Sequence, residues 1–393
     1  MKDRTAKFVF AADLAPIRKF APVMAADPAA VYGDLLPVLR EADFRIVNLE
    51  SPLDPGGGFI VKSGAAFTGE PCHAAALTAG GFDAAVMANN HTFDCGDKGF
   101  FATREILRRR GIAPVGAGAD LAEAREPLAI EVNGVRILLF AISEGEDMRG
   151  ATADSPGVRP WEVEELAAAI RRAKGSCDAI VVSAHCGLEY QPYPSFYVYE
   201  AFRRWAEAGA DLILGHHPHV PQGMTRFGGV PACFSLGNFV FYQPLPLFWR
   251  KTGYLVEFTV GEGRGVLSHR AIPYRIEETG VRRLRGDETA EFDAMMTKLS
   301  APLADAESAR RAWHAVLAYN GVEGFCAELE KIRNTLRDDP PRGAAMLRNR
   351  VACMQHRTQW IDGMTRIAEG TIADAPAEYL AVVREFMTRE VPK

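Results

Sequence analysis

Residues 210–219 read Ala-Asp-Leu-Ile-Leu-Gly-His-His-Pro-His, a mostly apolar run that ends on three imidazoles within four positions. Imidazoles so close would repel one another if protonated and would be poorly satisfied if simply buried. The same pattern occurs four more times upstream. Residues 7–12 run into Asp13, 44–49 into Glu50, 82–89 into Asn90 and His91, and 179–184 into His185. Helical windows at 29–41, 70–79, 98–110, 161–174 and 197–208 alternate with these runs, which is the signature of an α/β domain. In an open α/β sheet, ligands bind in the crevice at the carboxyl ends of the strands. Oxygen and imidazole donors brought there from five strands are what a divalent-metal site requires. The pattern predicts a metalloenzyme.

Each residue has its own chemistry. Asp13 is the first polar residue off a buried strand, where a carboxylate is costly unless it meets water, a cation or helix N–H groups. The structural alternative is a helix N-cap ahead of Pro16. Glu50 closes an apolar run before Ser51 and Pro52, and the proline keeps the chain extended; a carboxylate there can hold or bridge cations. In Asn-Asn-His-Thr-Phe-Asp-Cys-Gly (89–96), the amide oxygen of Asn90 is a neutral ligand. His91 and Asp94, three apart, can pair so that the imidazole becomes an acid/base group. His185 ends a strand and Gly187 lets the chain turn. His217 and His219, two apart in an extended segment, would point the same way, with His216 facing away as a core residue or a support for the ligands. No GxSxG elbow, GxxxxGK[ST] loop or post-strand GxGxxG is present. Gly56-Gly57-Gly58 is read as a mobile loop.

The 393 residues suit one large domain with an extension. A hydrophobic fraction of 48%, a charged fraction of 24% and a net charge of −5 describe an ordinary soluble protein with no reason to seek nucleic acid. Arg108, Arg109 and Arg110 form the only tight basic run, late in a helical window where cations suit the dipole. Lys2, Asp3, Arg4 and Lys7 interrupt the start, and no segment is apolar enough for a signal peptide or membrane span. Seven cysteines without a CxxC pair argue against a disulfide framework. A cytoplasmic protein with no membrane partner is expected; oligomeric state is left open. Strands are also expected at 135–142, 230–234 and 253–260, the last two joining 266–273 as an antiparallel hairpin. Beyond about residue 285 the pattern becomes almost wholly helical, broken at 301–302, 320–321, 339–341 and 375–376. Two units are therefore expected, residues 1–284 as the catalytic body and 285–393 as a helical extension packed on it. Trp313 and Trp360 are assigned to packing, with a cleft wall as the alternative.

Five ordered blocks then resemble a known family: 48–52 (Asn-Leu-Glu-Ser-Pro), 89–96, 185–190 (His-Cys-Gly-Leu-Glu-Tyr), 215–223 (Gly-His-His-Pro-His-Val-Pro-Gln-Gly) and 234–241 (Phe-Ser-Leu-Gly-Asn-Phe-Val-Phe). They are similar to the CapA family associated with poly-γ-glutamate capsule synthesis, over roughly residues 7–275. The resemblance implies a calcineurin-like metallophosphatase sandwich of two mixed β-sheets flanked by helices. It also implies Asp13, Glu50, Asn90, His185, His217 and His219 as metal ligands, His91 and Asp94 as the acid/base pair, and Ser235 and Asn238 lining the cleft. Related phosphatases carry a histidine two residues after the first aspartate, where this chain has Ala15, and a glycine where it has Ala12. One metal position (Asp13, Glu50, His219) is thus poorer in ligands than the other (Glu50, Asn90, His185, His217). One divalent ion, or two of unequal affinity, drawn from Ca²⁺, Mn²⁺, Mg²⁺ and Zn²⁺, would suit this set.

The same resemblance includes cytoplasmic lasso-peptide epimerases, which invert a residue of a ribosomally made precursor peptide. Such a reaction needs a cation beside the carbanion and two proton-transfer groups. His91–Asp94 offers one, and a histidine among His185, His217 and His219, paired with Asp13, offers the other. Epimerisation of a peptide substrate is the favoured expectation. Metal-assisted hydrolysis of an amide or phosphoester is the alternative, and a binding protein that has lost catalysis is the third possibility.

Overall fold

The structure, a computed structural model, describes residues 4–391. Met1, Lys2, Asp3, Pro392 and Lys393 lie outside the described residues. In chain order the strands are β1 (Thr5–Leu14), β2 (Phe44–Leu49), β3 (Ala84–Val86), β4 (Ala113–Val115), β5 (Ala117–Gly118), β6 (Leu128–Val132), β7 (Val135–Ser143), β8 (Gly157–Val158), β9 (Ala179–His185), β10 (Leu212–His216), β11 (Met224–Phe227), β12 (Val230–Cys233), β13 (Thr252–Gly261), β14 (Gly265–Ile276) and β15 (Val281–Arg283). β5 and β8 pair by themselves, and the two large sheets have the orders β15-β14-β13-β1-β2-β3-β4 and β11-β12-β10-β9-β7-β6. Both are mixed. β1 runs parallel to β2 and antiparallel to β13, while β9 is parallel to both β7 and β10.

The pleat explains why the central strands are apolar throughout. Ile137, Leu139 and Ala141 of β7 join the cluster between the two sheets, together with Val181, Leu212 and Leu214. Their neighbours Leu138, Phe140, Ile142, Ile180, Val182 and Ile213 join a second cluster on the opposite face. There they meet helices Val163–Ala173 and Phe196–Ala208. Alternate side chains thus feed two layers, and a strand buried on both faces must be hydrophobic at every position.

The expected sandwich of two mixed sheets flanked by helices is the one observed. The hairpin is also present, formed by β13 and β14. The expected third member is not: residues 230–234 supply β12, which lies in the other sheet, parallel to β10 and antiparallel to β11. Its short partner β11 follows the histidine turn and could not be told from loop by alternation alone.

Helices Asp287–Ser300, Ala306–Asp338, Pro340–Ala352, Met354–Ala368 and Ala377–Thr388 make up the C-terminal region. The breaks read from the sequence fall inside or between helices, including Gly321 at φ 59° inside Ala306–Asp338, Asp339, which caps the amide of Arg342, and Pro376, directly before Ala377–Thr388. A further break, at Cys353, has no proline or glycine to announce it. The core is continuous across the junction, since Phe292, Leu299, Trp313 and Phe386 belong to the same cluster as β1. Phe386 stacks on Trp249 with ring centroids 5.2 Å apart. Trp313 is buried with its indole N–H on Asp362, and Trp360 packs on Phe325, so both tryptophans pack, while Trp313 also lines a cleft with Arg310 and His314.

Two glycines place the histidines. A Cβ at Gly215 would lie 1.9 Å from the carbonyl oxygen of Phe234, so only glycine lets β10 come this close to the chain after β12. Gly187, at φ 94°, turns the chain directly after His185.

Candidate metal centre

The carboxyl ends of the two sheets meet at one place. His185 and His216 are register partners on β9 and β10. Asp13 pairs in register with Asn48 after a bulge in β1, and Glu50 follows β2 directly. The amide of Asn48 bridges the sheets, donating to Asp13 Oδ1 at 2.8 Å and lying 3.2 Å from His185 Nδ1. Asp13 is therefore not an N-cap. Its position inside β1 holds it in the core.

Asp13, Glu50, His185, His217 and His219 are all buried. Glu50 Oε1 lies 3.4 Å from His185 Nε2 and 3.5 Å from His219 Nε2. Asp13 Oδ2 lies 3.4 Å from His219 Nδ1. One potential ligand atom from each of Glu50, His217 and His219 falls within 4.8 Å of the others. Several atoms here are buried without a hydrogen-bond partner: Asp13 Oδ2, both Glu50 oxygens and His217 Nδ1. Leaving such groups unpaired costs on the order of 1–3 kcal/mol each, more if charged. Carboxylate and imidazole lone pairs gathered without donors fit a divalent cation. Burial, with the charges of Asp13 and Glu189, pushes the Glu50 carboxyl well above its usual range against His219 and Lys62. Burial acts the same way on Asp13, but the imidazoles of His216 and His219 outweigh it and hold that carboxyl well below. Burial pushes His185 and His217 down. His219 is pushed well up, because Glu50 and Asp13 overcome its burial.

Asn90 also arrives, with Oδ1 2.9 Å from His185 Nε2. Next to it stands the expected acid/base pair, His91 Nδ1 at 2.6 Å from Asp94 Oδ2. A carboxylate only accepts, so Nδ1 carries the proton and Nε2 faces Glu50 Oε1 at 4.0 Å. Burial pushes the imidazole pKa down, partly offset by Asp94, which leaves Nε2 as an unprotonated base. Lys62 tightens this pair. Its Nζ donates to Asp94 Oδ1 and to the Asn90 carbonyl, both at 2.8 Å, and lies 3.0 Å from His91 Nδ1. The amide of Phe67 also donates to Asp94 at 2.6 Å.

Three expectations are corrected. His216 is the buried supporting residue expected, but it does not face away: its Nδ1 lies 3.3 Å from Asp13 Oδ1. His217 and His219 are not in extended backbone but at φ 96° and 57°, left-handed conformations that cost about 1–3 kcal/mol and collect at functional sites. The turn breaks the odd–even rule that would have sent His216 outward. Of the histidines expected as partners of Asp13, His219 takes that place, while His217 Nε2 lies 2.8 Å from Gln355 Oε1. Ser235 is wholly buried, its hydroxyl donating to the Val220 carbonyl, so it braces the histidine turn; Asn238 does meet His219, at 2.9 Å.

Other residues here escaped the sequence. Glu146 lies in the turn after β7, where Asn90 Nδ2 donates to it at 3.1 Å. Gln355 donates to its other oxygen, and His356 Nε2 is 3.6 Å away. Hydrogen bonding from His356 and the charge of His217 outweigh burial and hold the Glu146 carboxyl well below its usual range. A cleft of about 250 Å³ opens onto these groups, lined among others by Arg18, Phe67, His91, Tyr190, Phe241 and Arg250. That is below the ~300–1,000 Å³ of most ligand pockets, room for a small group only.

Close by, burial pushes the Glu144 carboxyl up to about 8, against hydrogen bonds from Tyr197 and the Gly187 amide. A carboxyl whose folded pKa exceeds its ordinary value of 4.5 favours folding while it is neutral. That contribution is complete below 4.5 and is lost as pH rises through about 8. Glu144→Gln is therefore expected to flatten the fall in Tm across this window. Thermal melts from acid to mildly alkaline pH check it; parallel slopes for the two proteins would refute it.

Comparison with known proteins gives the same answer as the motif blocks. The bacterial capsule synthesis protein family, PGA_cap, matches residues 7–243, more than half of the chain. The chain belongs to this family. Relatives include the PGA biosynthesis protein CapA of Bacillus subtilis, 33% identical over 50% of this chain and 53% of that protein. The capsule biosynthesis protein CapA of Bacillus anthracis is 29% identical over 63% of this chain and 62% of its own length. The chain thus spans less than two thirds of these relatives. Among solved structures, a 5'-nucleotidase precursor from Thermus thermophilus aligns with a TM-score of 0.44 and 15% identity, over 70% of this chain and 56% of that one. Among the described residues of this family member, no helix is long and apolar enough to cross a membrane.

Proposed function

We propose that the protein is a metal-dependent enzyme that moves a proton at the backbone of a peptidic substrate, epimerising one residue from L to D. The observation that carries this is the buried Lys62–Asp94–His91 array, with the free Nε2 of His91 beside the unpartnered Glu50 carboxylate. Glu50, His217 and His219 would hold the ion, with Asp13, Asn90 and His185 at its margin. Two imidazoles in the central group favour Mn²⁺ or Zn²⁺ over Mg²⁺ and Ca²⁺. The bound ion would polarise the carbonyl next to the reacting carbon.

His91 Nε2 takes the Cα proton, and the electron pair of that C–H bond moves into the adjacent carbonyl. Asp94 stabilises the imidazolium that results. A proton then returns to the other face. Tyr190 lines the same cleft, keeps its phenolic proton because burial raises its pKa, and lies under the Arg250 guanidinium at 3.7 Å. It supplies the second group in this scheme, and afterwards the imidazolium of His91 gives its proton to water while the Tyr190 phenolate takes one back, restoring both groups. The substrate would be a ribosomally made precursor peptide of the lasso type.

One observation favours a second reading. The relatives are named for PGA biosynthesis, and Arg18 and Arg250 stand in the cleft lining, beside Glu146 and Glu189. Hydrolysis of an anionic polyamide would use the same His91 to protonate the leaving amine. A single incubation in heavy water with Mn²⁺ separates the two. Deuterium gain at Cα of a precursor peptide without chain cleavage supports epimerisation. Amine release from poly-γ-glutamate without deuterium gain supports hydrolysis, and neither product from a broad peptide panel would sink both.

A further inference from the structure

We infer that the C-terminal helical region completes the metal centre: Gln355 fixes the tautomer of His217, and Glu146 fixes Gln355. This rests on the proposal above that Glu50, His217 and His219 hold a cation. Gln355 lies outside the segment matched by the family, which ends at residue 243.

The extended backbone at Cys353 separates helices Pro340–Ala352 and Met354–Ala368. That break turns the first residues of the second helix into the site, and Gln355 is 1% exposed there. Its amide nitrogen donates to Glu146 Oε1. A carboxylate can only accept, so the NH₂ of Gln355 must face Glu146 and its carbonyl must face His217. That carbonyl lies 2.8 Å from His217 Nε2 and can only accept, so the imidazole proton sits on Nε2. The lone pair is left on Nδ1, the buried nitrogen without a partner. Asn90 Nδ2, 3.1 Å from Glu146 Oε2, holds the carboxylate from its other side.

The partner histidine is held the same way. Asn238 Oδ1 lies 2.9 Å from His219 Nδ1, and its NH₂ donates to the His219 carbonyl at 2.9 Å. That leaves His219 Nε2 toward Glu50, 3.5 Å away. Each imidazole of the pair is thus oriented by a side-chain amide carbonyl, one local in sequence and one 138 residues distant. With both histidines in left-handed backbone, the turn alone does not dictate which nitrogen each presents. Gln355 is a positioning residue, because it reaches the cation only through His217.

The test is Mn²⁺ titration of the full chain by calorimetry, with ¹⁵N-histidine NMR of the metal-free protein as a second readout. Gln355→Met keeps the length and removes the acceptor. Outer hydrogen-bond partners of metal ligands typically matter about 10–100-fold, so Kd is expected to rise by that factor and His217 to lose its single tautomer. Asn349→Ala, which removes bonds to the Asp147 amide and Ser63 on the neighbouring helix, is expected to leave both readouts unchanged. Melts in EDTA show that each variant is folded. Wild type that takes up no Mn²⁺ overturns the metal reading and the inference with it. Wild type and Gln355→Met binding Mn²⁺ equally, with an unchanged tautomer, overturns the inference alone.

Discussion

His91→Ala is expected to slow turnover by about 10²–10⁴-fold, the range typical for loss of a positioned acid/base group. Its Nε2 is the free end of a buried chain of charge-assisted bonds, with Asp94 and Lys62 behind it. Among the described residues the other imidazoles of the site are otherwise engaged, since His185 and His219 face Glu50 and His217 faces Gln355. Metal content should be unchanged, because the variant removes a proton carrier and not a member of the Glu50, His217 and His219 group. Asp94→Asn should slow the reaction as well, because an amide in place of the carboxylate no longer stabilises the imidazolium. Rates on the substrate identified by heavy-water exchange, measured beside metal analysis, check both. His91→Ala protein of near-normal rate and full metal content would remove His91 from the mechanism.

Glu50→Gln is expected to move stability in opposite directions with and without metal. The Glu50 carboxylate is wholly buried, both oxygens lack partners, and burial already pushes it toward its neutral form. Replacing it with a neutral amide of the same shape removes a charge that the metal-free fold tolerates poorly, so Tm in EDTA should hold or rise. Addition of Mn²⁺ should reverse the order. Wild type gains about 2.7 kcal/mol when free metal reaches 100 times Kd, whereas the variant, without the central carboxylate, gains almost nothing. Paired melts with EDTA and with Mn²⁺ check the crossover. Equal metal-induced shifts in the two proteins would show that Glu50 holds no cation.

Much of this centre was legible because it is local. Asp13, Glu50, Asn90, His91 and His185 lie at or just past the ends of buried apolar runs, and that fact needs only the neighbouring sequence. Glu146 obeys the same rule. It follows the 135–142 run, and the acidic Glu144–Asp147 cluster at that strand end was the signal that could have found it. Lys62 was hidden for a different reason. The glycines at 56–58 suggested a mobile loop, yet four residues later the chain buries an ammonium against Asp94; a lone lysine after Phe59, Ile60 and Val61 was its only trace. Gln355 left none. Its break at Cys353 carries no turn residue, and its target lies in another part of the chain. The hairpin was found from its glycine-rich turn, whereas β12 was misplaced because sheet membership depends on which strand it meets, not on its own pattern.

Lys62 has a practical consequence for following the protein in solution. Its side chain is 3% exposed, and its ammonium donates to the Asn90 carbonyl and to Asp94. Amine-directed labelling reagents will therefore pass over it in the closed protein while acylating Lys19 or Lys298 at the surface. Whatever lifts the 51–70 segment from the cleft would expose it to the reagent. Modification at Lys62, read as a peptide mass shift over time, becomes a built-in clock for how often the entrance opens.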